Sequence, residues 1–66
     1  MIIFQVSDMS CGHCASTITQ AVKEADRDAE VRIDLGRHLV EIEPKAADAA
    51  QLRAAIAAAG YTPVMQ

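Results

Sequence analysis

The sequence predicts an α+β fold of order βαββαβ, in which two helices pack on one four-stranded antiparallel sheet. Short segments with alternating apolar and polar residues indicate strands, and two longer segments with apolar residues every three or four positions indicate helices. Read along the chain, these segments give strand, helix, strand, strand, helix and strand. With 66 residues, we expect a single domain over residues 1–66.

The first strand and first helix follow from their apolar spacing. Residues 2–6 alternate and place Ile2, Phe4 and Val6 on one face of a strand. A helix is predicted from about His13, with Ser10 as its N-cap. Its buried stripe is predicted at Ala15, Ile18, Val22 and Ala25. The charges near its end are expected to be solvated: Lys23, Glu24, Asp26, Arg27 and Asp28.

A hairpin is predicted next. One strand contains Val31, Ile33 and Leu35, and its partner contains Val40 and Ile42. The connection at residues 35–38 contains Gly36, which is expected to supply the unusual backbone angles of a tight turn.

A second helix and a short strand complete the predicted fold. Asp48 and Gln51 resemble a capping box at the start of this helix, and Gly60 is placed as its C-terminal cap. The buried stripe is predicted at Leu52, Ala55, Ile56 and Ala59. Residues 61–65 form the last strand, which is predicted at an edge of the sheet because Pro63 cannot donate a hydrogen bond.

Composition excludes several functions. The net charge of −3 and the absence of a basic run argue against nucleic-acid binding. No apolar stretch approaches the roughly 18 residues of a membrane span, so no membrane insertion is expected. The N-terminus resembles a strand rather than a signal peptide, which predicts a cytoplasmic protein. In that reducing compartment, two cysteines separated by two residues indicate metal or redox chemistry.

The chemistry is predicted at Cys11 and Cys14. Cys11 is expected in a loop and Cys14 in the first helical turn, where unpaired N–H groups and the helix dipole favour thiolates. Two thiolates suit a soft ion that accepts few ligands, such as Cu(I), whereas structural zinc normally takes four. The predicted topology also brings the hairpin tip and Tyr61 to this end, so Arg37 and His38 are candidate neighbours.

With Met9, Cys11 and Cys14, the chain resembles the heavy-metal-associated domain family, and specifically its bacterial copper chaperones. The resemblance extends from Ile2 to about Val64. It implies a ferredoxin-like fold and a non-enzymatic carrier that transfers Cu(I) to the metal-binding domain of a copper-transporting P-type ATPase. It also implies that Cys11 and Cys14 bind Cu(I).

The resemblance assigns roles to the residues around the cysteines as well. Met9 would pack beneath the loop, and Tyr61 would lie beside the metal. Ser10, directly before Cys11, favours copper, since zinc-preferring members tend to have an acidic residue there. Asp8 departs from the glycine that the family usually has.

The histidines have two interpretations each. His13 is a candidate third ligand, for example in a copper-bridged homodimer, and the alternative is an exposed histidine. His38 is predicted to be a hairpin residue without a role in the site.

Two alternative functions fit the motif. Cys-Gly-His-Cys is also the active-site tetrapeptide of protein disulfide isomerases, so a thiol-disulfide oxidoreductase is one alternative. The other keeps the fold but carries Hg(II), Zn(II) or cadmium. An origin as one domain of a larger transporter was weighed against a free-standing protein, which the start at Met1 and the end at Gln66 favour.

Overall fold

A computed structural model describes residues 1–66 and contains six elements in the predicted order. They are β1 (Ile2–Val6), α1 (Gly12–Ala25), β2 (Glu30–Asp34), β3 (Leu39–Glu43), α2 (Ala49–Ala58) and β4 (Pro63–Met65). All strand pairs are antiparallel, and the strands lie in the order β2-β3-β1-β4. The predicted fold is confirmed. Neither helix has the length and apolar character needed to cross a membrane.

The core lies between the sheet and the two helices. It consists of ten fully buried apolar residues, drawn from the two central strands, both helices and two loops: Phe4, Val6, Met9, Ile18, Val22, Ala29, Val40, Ile42, Leu52 and Ile56. The alternation of β1 puts Phe4 and Val6 in this core, as predicted. Because β1 is central and leads directly into the loop with the cysteines, that loop begins from a rigid part of the fold.

The start of α1 differs from the prediction. The N-cap is Cys11, with extended angles of φ −152° and ψ 170°, and its carbonyl accepts from the N–H of Ala15 at 3.1 Å. Ser10 as the N-cap is therefore wrong, because the serine lies one residue before the capping position. Farther along α1, Ile18 and Val22 are buried as predicted, whereas Ala25 is exposed.

The hairpin turn has its left-handed residue in an unexpected place. His38, with φ 58°, adopts the positive φ, and Gly36 does not, so the predicted role of Gly36 is wrong. The turn begins with a hydrogen bond from the N–H of Arg37 to Oδ1 of Asp34 at 3.1 Å, which a side chain supplies without glycine geometry. β2 ends at Asp34, so Leu35 lies in the turn.

Asp26 is buried, although its charge was predicted to be solvated. Its Oδ2 accepts from the backbone N–H groups of Lys45, Ala46 and Ala47 at 2.7, 2.8 and 3.0 Å. These bonds, that from Ala47 foremost, lower the pKa of Asp26 to about 2 from its ordinary 3.8. The carboxylate therefore links the end of α1 to the loop before α2.

The second half of the chain follows the prediction closely. Asp48 and Gln51 form the capping box of α2, and Gly60 follows the helix with φ 100°. Leu52 and Ile56 are buried. β4 begins at Pro63 rather than at Tyr61, and it occupies an edge of the sheet as predicted.

We expect Phe4→Ala to lower the free energy of unfolding by about 3–5 kcal/mol, since it removes a fully buried aromatic ring from a small core. Val64→Ala is the matched control: Val64 is 55% exposed on β4, and its truncation should cost no more than about 0.5 kcal/mol. Urea unfolding of both variants measures the difference. Equal losses in the two would contradict the assigned core.

Asp26 should contribute to acid sensitivity. Its pKa is lower in the folded state, so its stabilisation is complete above about pH 4 and is lost as the pH falls toward 2. The difference in unfolding free energy between the parent and Asp26→Asn should therefore shrink over that range. Asp28→Asn, at an exposed carboxylate, is the control. A difference independent of pH would contradict the role of the Asp26 charge.

Candidate metal site

The loop between β1 and α1, residues 7–11, is called the cysteine loop here. It ends at Cys11, which is exposed, and Cys14 follows half-buried in the first turn of α1. The two Sγ atoms lie 3.4 Å apart. A disulfide would need about 2.05 Å, so both thiols are free and face each other.

The thiol of Cys14 lies where its thiolate is stabilised. Hydrogen bonding with the side chain of Tyr61 contributes most, followed by a backbone hydrogen bond of Ser10 and the Cys11 thiol, and together these lower the pKa of Cys14 to about 7 from 9.0. The same contact raises the pKa of Tyr61, since its phenol proton is shared with the thiolate. The start of a helix acts in the same direction. The cysteine is thus substantially ionised near neutral pH.

Met9 joins the cysteine loop to the core. Its side chain is fully buried, and its N–H donates to the carbonyl of Val6 at 3.1 Å. The expected packing of Met9 beneath the loop is confirmed. Cys14 and Tyr61 also pack against the core, so the inner half of the site rests on rigid groups.

The hairpin tip contacts the cysteine loop, as the topology predicted. The N–H of Val6 donates to the carbonyl of His38 at 2.8 Å, and Nδ1 of His38 lies 2.7 Å from the carbonyl oxygen of Met9. The Arg37 side chain instead lies near Asp34, with Nε 3.8 Å from Oδ2, and is 80% exposed. Sequence reasoning missed the contact of His38, since its partner is a backbone carbonyl, which any residue provides.

The family of the chain follows from a comparison with known sequence families. The pattern of the heavy-metal-associated domain matches residues 3–62. The chain belongs to the heavy-metal-associated domain family. Among curated relatives, the copper chaperone CopZ of Staphylococcus aureus (strain MRSA252) is 34% identical over 61 residues, covering 89% of this chain and 90% of that protein.

Solved structures agree with this assignment. A gold-binding protein superposes with a TM-score of 0.93 at 36% identity, over 100% of both chains. The copper chaperone Atx1 from Synechocystis PCC6803, in a trimeric mutant form, superposes with a TM-score of 0.92 at 39% identity, over 97% of this chain and 100% of that one. The ferredoxin-like fold is therefore shared with structures of metal-binding proteins.

Asp8 has a defined partner in this heavy-metal-associated domain. Its Oδ1 accepts from the N–H of Thr62 at 3.2 Å, which links the cysteine loop to the segment just after Tyr61. The usual family glycine has no side chain that could make this bond. The departure at Asp8 therefore adds a contact between the two segments that flank Cys14.

The domain brings no third metal-binding group to the thiols. No cluster of three or more His, Cys, Asp or Glu side chains is placed to hold an ion. His13 and Ser10 are exposed, and the backbone carbonyl of His13 accepts from Oγ1 of Thr17 at 3.0 Å. Within one copy, the donors available to a metal are the two sulfurs.

The fold also bears on the oxidoreductase alternative. Thioredoxin-like proteins need a different strand layout and a cis-proline near the active site, as the sequence analysis noted for its two prolines. Here the sheet is antiparallel throughout and no peptide bond is cis. The Cys-Gly-His-Cys tetrapeptide therefore lies in a different framework from that of the disulfide isomerases.

Tyr61→Phe should raise the pKa of the Cys14 thiol from about 7 toward 9.0, since the phenol is the largest cause of the lowered value. The rate of alkylation against pH, measured in a Cys11→Ser background so that one thiol reacts, gives the pKa directly. Tyr61→Phe retains the ring, and Thr62→Ser serves as a neighbouring control. An unchanged pKa would remove Tyr61 from the site.

Proposed function

We propose that this domain is a cytoplasmic Cu(I) chaperone. It binds Cu(I) between Cys11 and Cys14 and transfers it by thiolate exchange to the metal-binding domain of a copper-transporting P-type ATPase. The observation that carries the proposal is the pair of free thiols 3.4 Å apart at the exposed start of α1. The similarity to copper chaperones supports the choice of cargo.

The donor set favours a soft ion of low coordination number. Thiolates select Cu(I) and other soft ions, whereas Zn²⁺ in structural sites takes four ligands. Two sulfurs without a third side chain satisfy Cu(I) better than Zn²⁺. A two-sulfur site also leaves coordination positions through which another thiolate can approach.

Binding requires a small movement of one sulfur. Metal–sulfur bonds of about 2.3 Å, as in zinc thiolates, put the two sulfurs of a linear unit about 4.6 Å apart. The present separation of 3.4 Å is shorter. Cys14 packs against the core beside Tyr61, whereas Cys11 is exposed at the helix N-cap. The movement is therefore assigned to Cys11.

This asymmetry gives an order of transfer. An incoming partner thiol loses its proton and attacks the ion, which then has three sulfur ligands. The exposed Cys11 leaves first and takes up a proton, and Cys14 follows when the partner's second thiolate binds. No electrons are transferred, because the copper remains Cu(I) throughout. A partner with a single cysteine should trap the ion together with Cys14; trapping with Cys11 would contradict the order.

The partner is assigned as a soft-metal-binding domain that docks at the end with Cys11 and Tyr61. The net charge of −3 suits a less acidic partner, which affects the rate of encounter. A second copy of this chain is another partner at high copper, with the exposed His13 as the added ligand. Native mass spectrometry of parent and His13→Ala tests this: equal dimer and copper stoichiometry would exclude His13 as a ligand.

Replacement of Cys11 and Cys14 together by Ser should abolish Cu(I) binding and leave the fold intact, since Cys11 is exposed and Cys14 only half-buried at the surface. Ser10→Ala, at an exposed neighbouring position, is the control and should bind like the parent. Anaerobic titrations of the reduced protein with Cu(I) and Zn(II) against competing chelators measure both affinities. Parent-like Cu(I) affinity in the double variant would disprove the site, and tighter binding of Zn(II) would change the cargo.

A further inference from the structure

We propose that His38 is a positioning residue for the metal site, which holds the cysteine loop through the carbonyl of Met9 and so keeps Cys11 opposite Cys14. The effect on metal binding rests on the proposed function, whereas the effect on the loop does not. His38 lies at the tip of the β2–β3 hairpin, 29 positions from Met9 in sequence.

The contact has a defined direction. A carbonyl oxygen carries no proton, so Nδ1 of His38 donates and Met9 accepts, over 2.7 Å. The backbone carbonyl of His38 also accepts from the N–H of Val6 at 2.8 Å. One residue of the hairpin therefore bonds to the cysteine loop at Met9 and to the strand residue just before the loop.

The backbone of His38 indicates that its side chain has a role. Its φ of 58° lies in the left-handed region, which glycine and asparagine tolerate best. The same turn contains Gly36, which does not adopt a positive φ. Histidine therefore occupies a position where local backbone preference favours glycine, and the imidazole makes a contact that glycine could not make.

The bond acts on the part of the loop that leads to the metal. Met9 is fixed by its buried side chain and by its N–H, and His38 fixes its carbonyl, which forms the peptide unit with Ser10. The next residue is Cys11, whose exposed thiol contacts only the thiol of Cys14 among side chains. Without the imidazole, that peptide unit can rotate and the Cys11 thiol samples more positions, so binding a metal costs more entropy.

Two substitutions separate this role from folding. His38→Gly removes the imidazole and relieves the left-handed backbone, so the stability to urea should stay near that of the parent. Its Cu(I) affinity should fall about three- to tenfold, the effect of one net hydrogen bond. His38→Asn tolerates the same backbone and places an amide N–H near the position of Nδ1, so it should retain most of the parent affinity.

A metal-free measurement decides the proposal independently of copper. Amide hydrogen exchange at Ser10 and Cys11 should be faster in His38→Gly than in the parent, and close to the parent in His38→Asn. Parent-like exchange in His38→Gly, equal changes in both variants, or unfolding of His38→Gly would overturn the role of His38. If the parent did not bind Cu(I), the proposed function would fail, and the exchange data would still test the loop contact.

Discussion

Met9 joins the cysteine loop to the rest of the molecule, and the site depends on that connection. Its side chain lies in the core, its N–H bonds to Val6, and its carbonyl bonds to His38. A loop fixed at this point can expose Cys11 without losing its position. The hydrophobic effect therefore acts on the site indirectly, by burying a thioether two residues before the first thiol.

The two cysteines are chemically alike and structurally different. Cys14 lies in a helical turn, packs against the core and shares the proton of Tyr61, which lowers its pKa to about 7. Cys11 lies at the N-cap, where its side chain makes no capping bond. One sulfur is thus suited to retain an ion and the other to release it. This difference is what a carrier needs, because a site with two equally fixed sulfurs would exchange slowly.

Patterns of apolar spacing were sufficient to predict the six elements, their order and the edge position of β4. The capping box at Asp48 and the glycine after α2 were predictable because each depends on local chemistry. Asp26 and His38 were not, since both bond to backbone groups that are distant in sequence and carry no residue signature. The N-cap was misplaced by one residue because serine has the stronger intrinsic preference for that role.

Copper K-edge X-ray absorption on the protein loaded with one Cu(I) per chain tests the central claim most directly. The donor set of Cys11 and Cys14 predicts two sulfur neighbours per copper and no nitrogen neighbour at that loading. A nitrogen ligand, whether from His13 or His38, or copper bound without sulfur, would contradict the two-thiolate site.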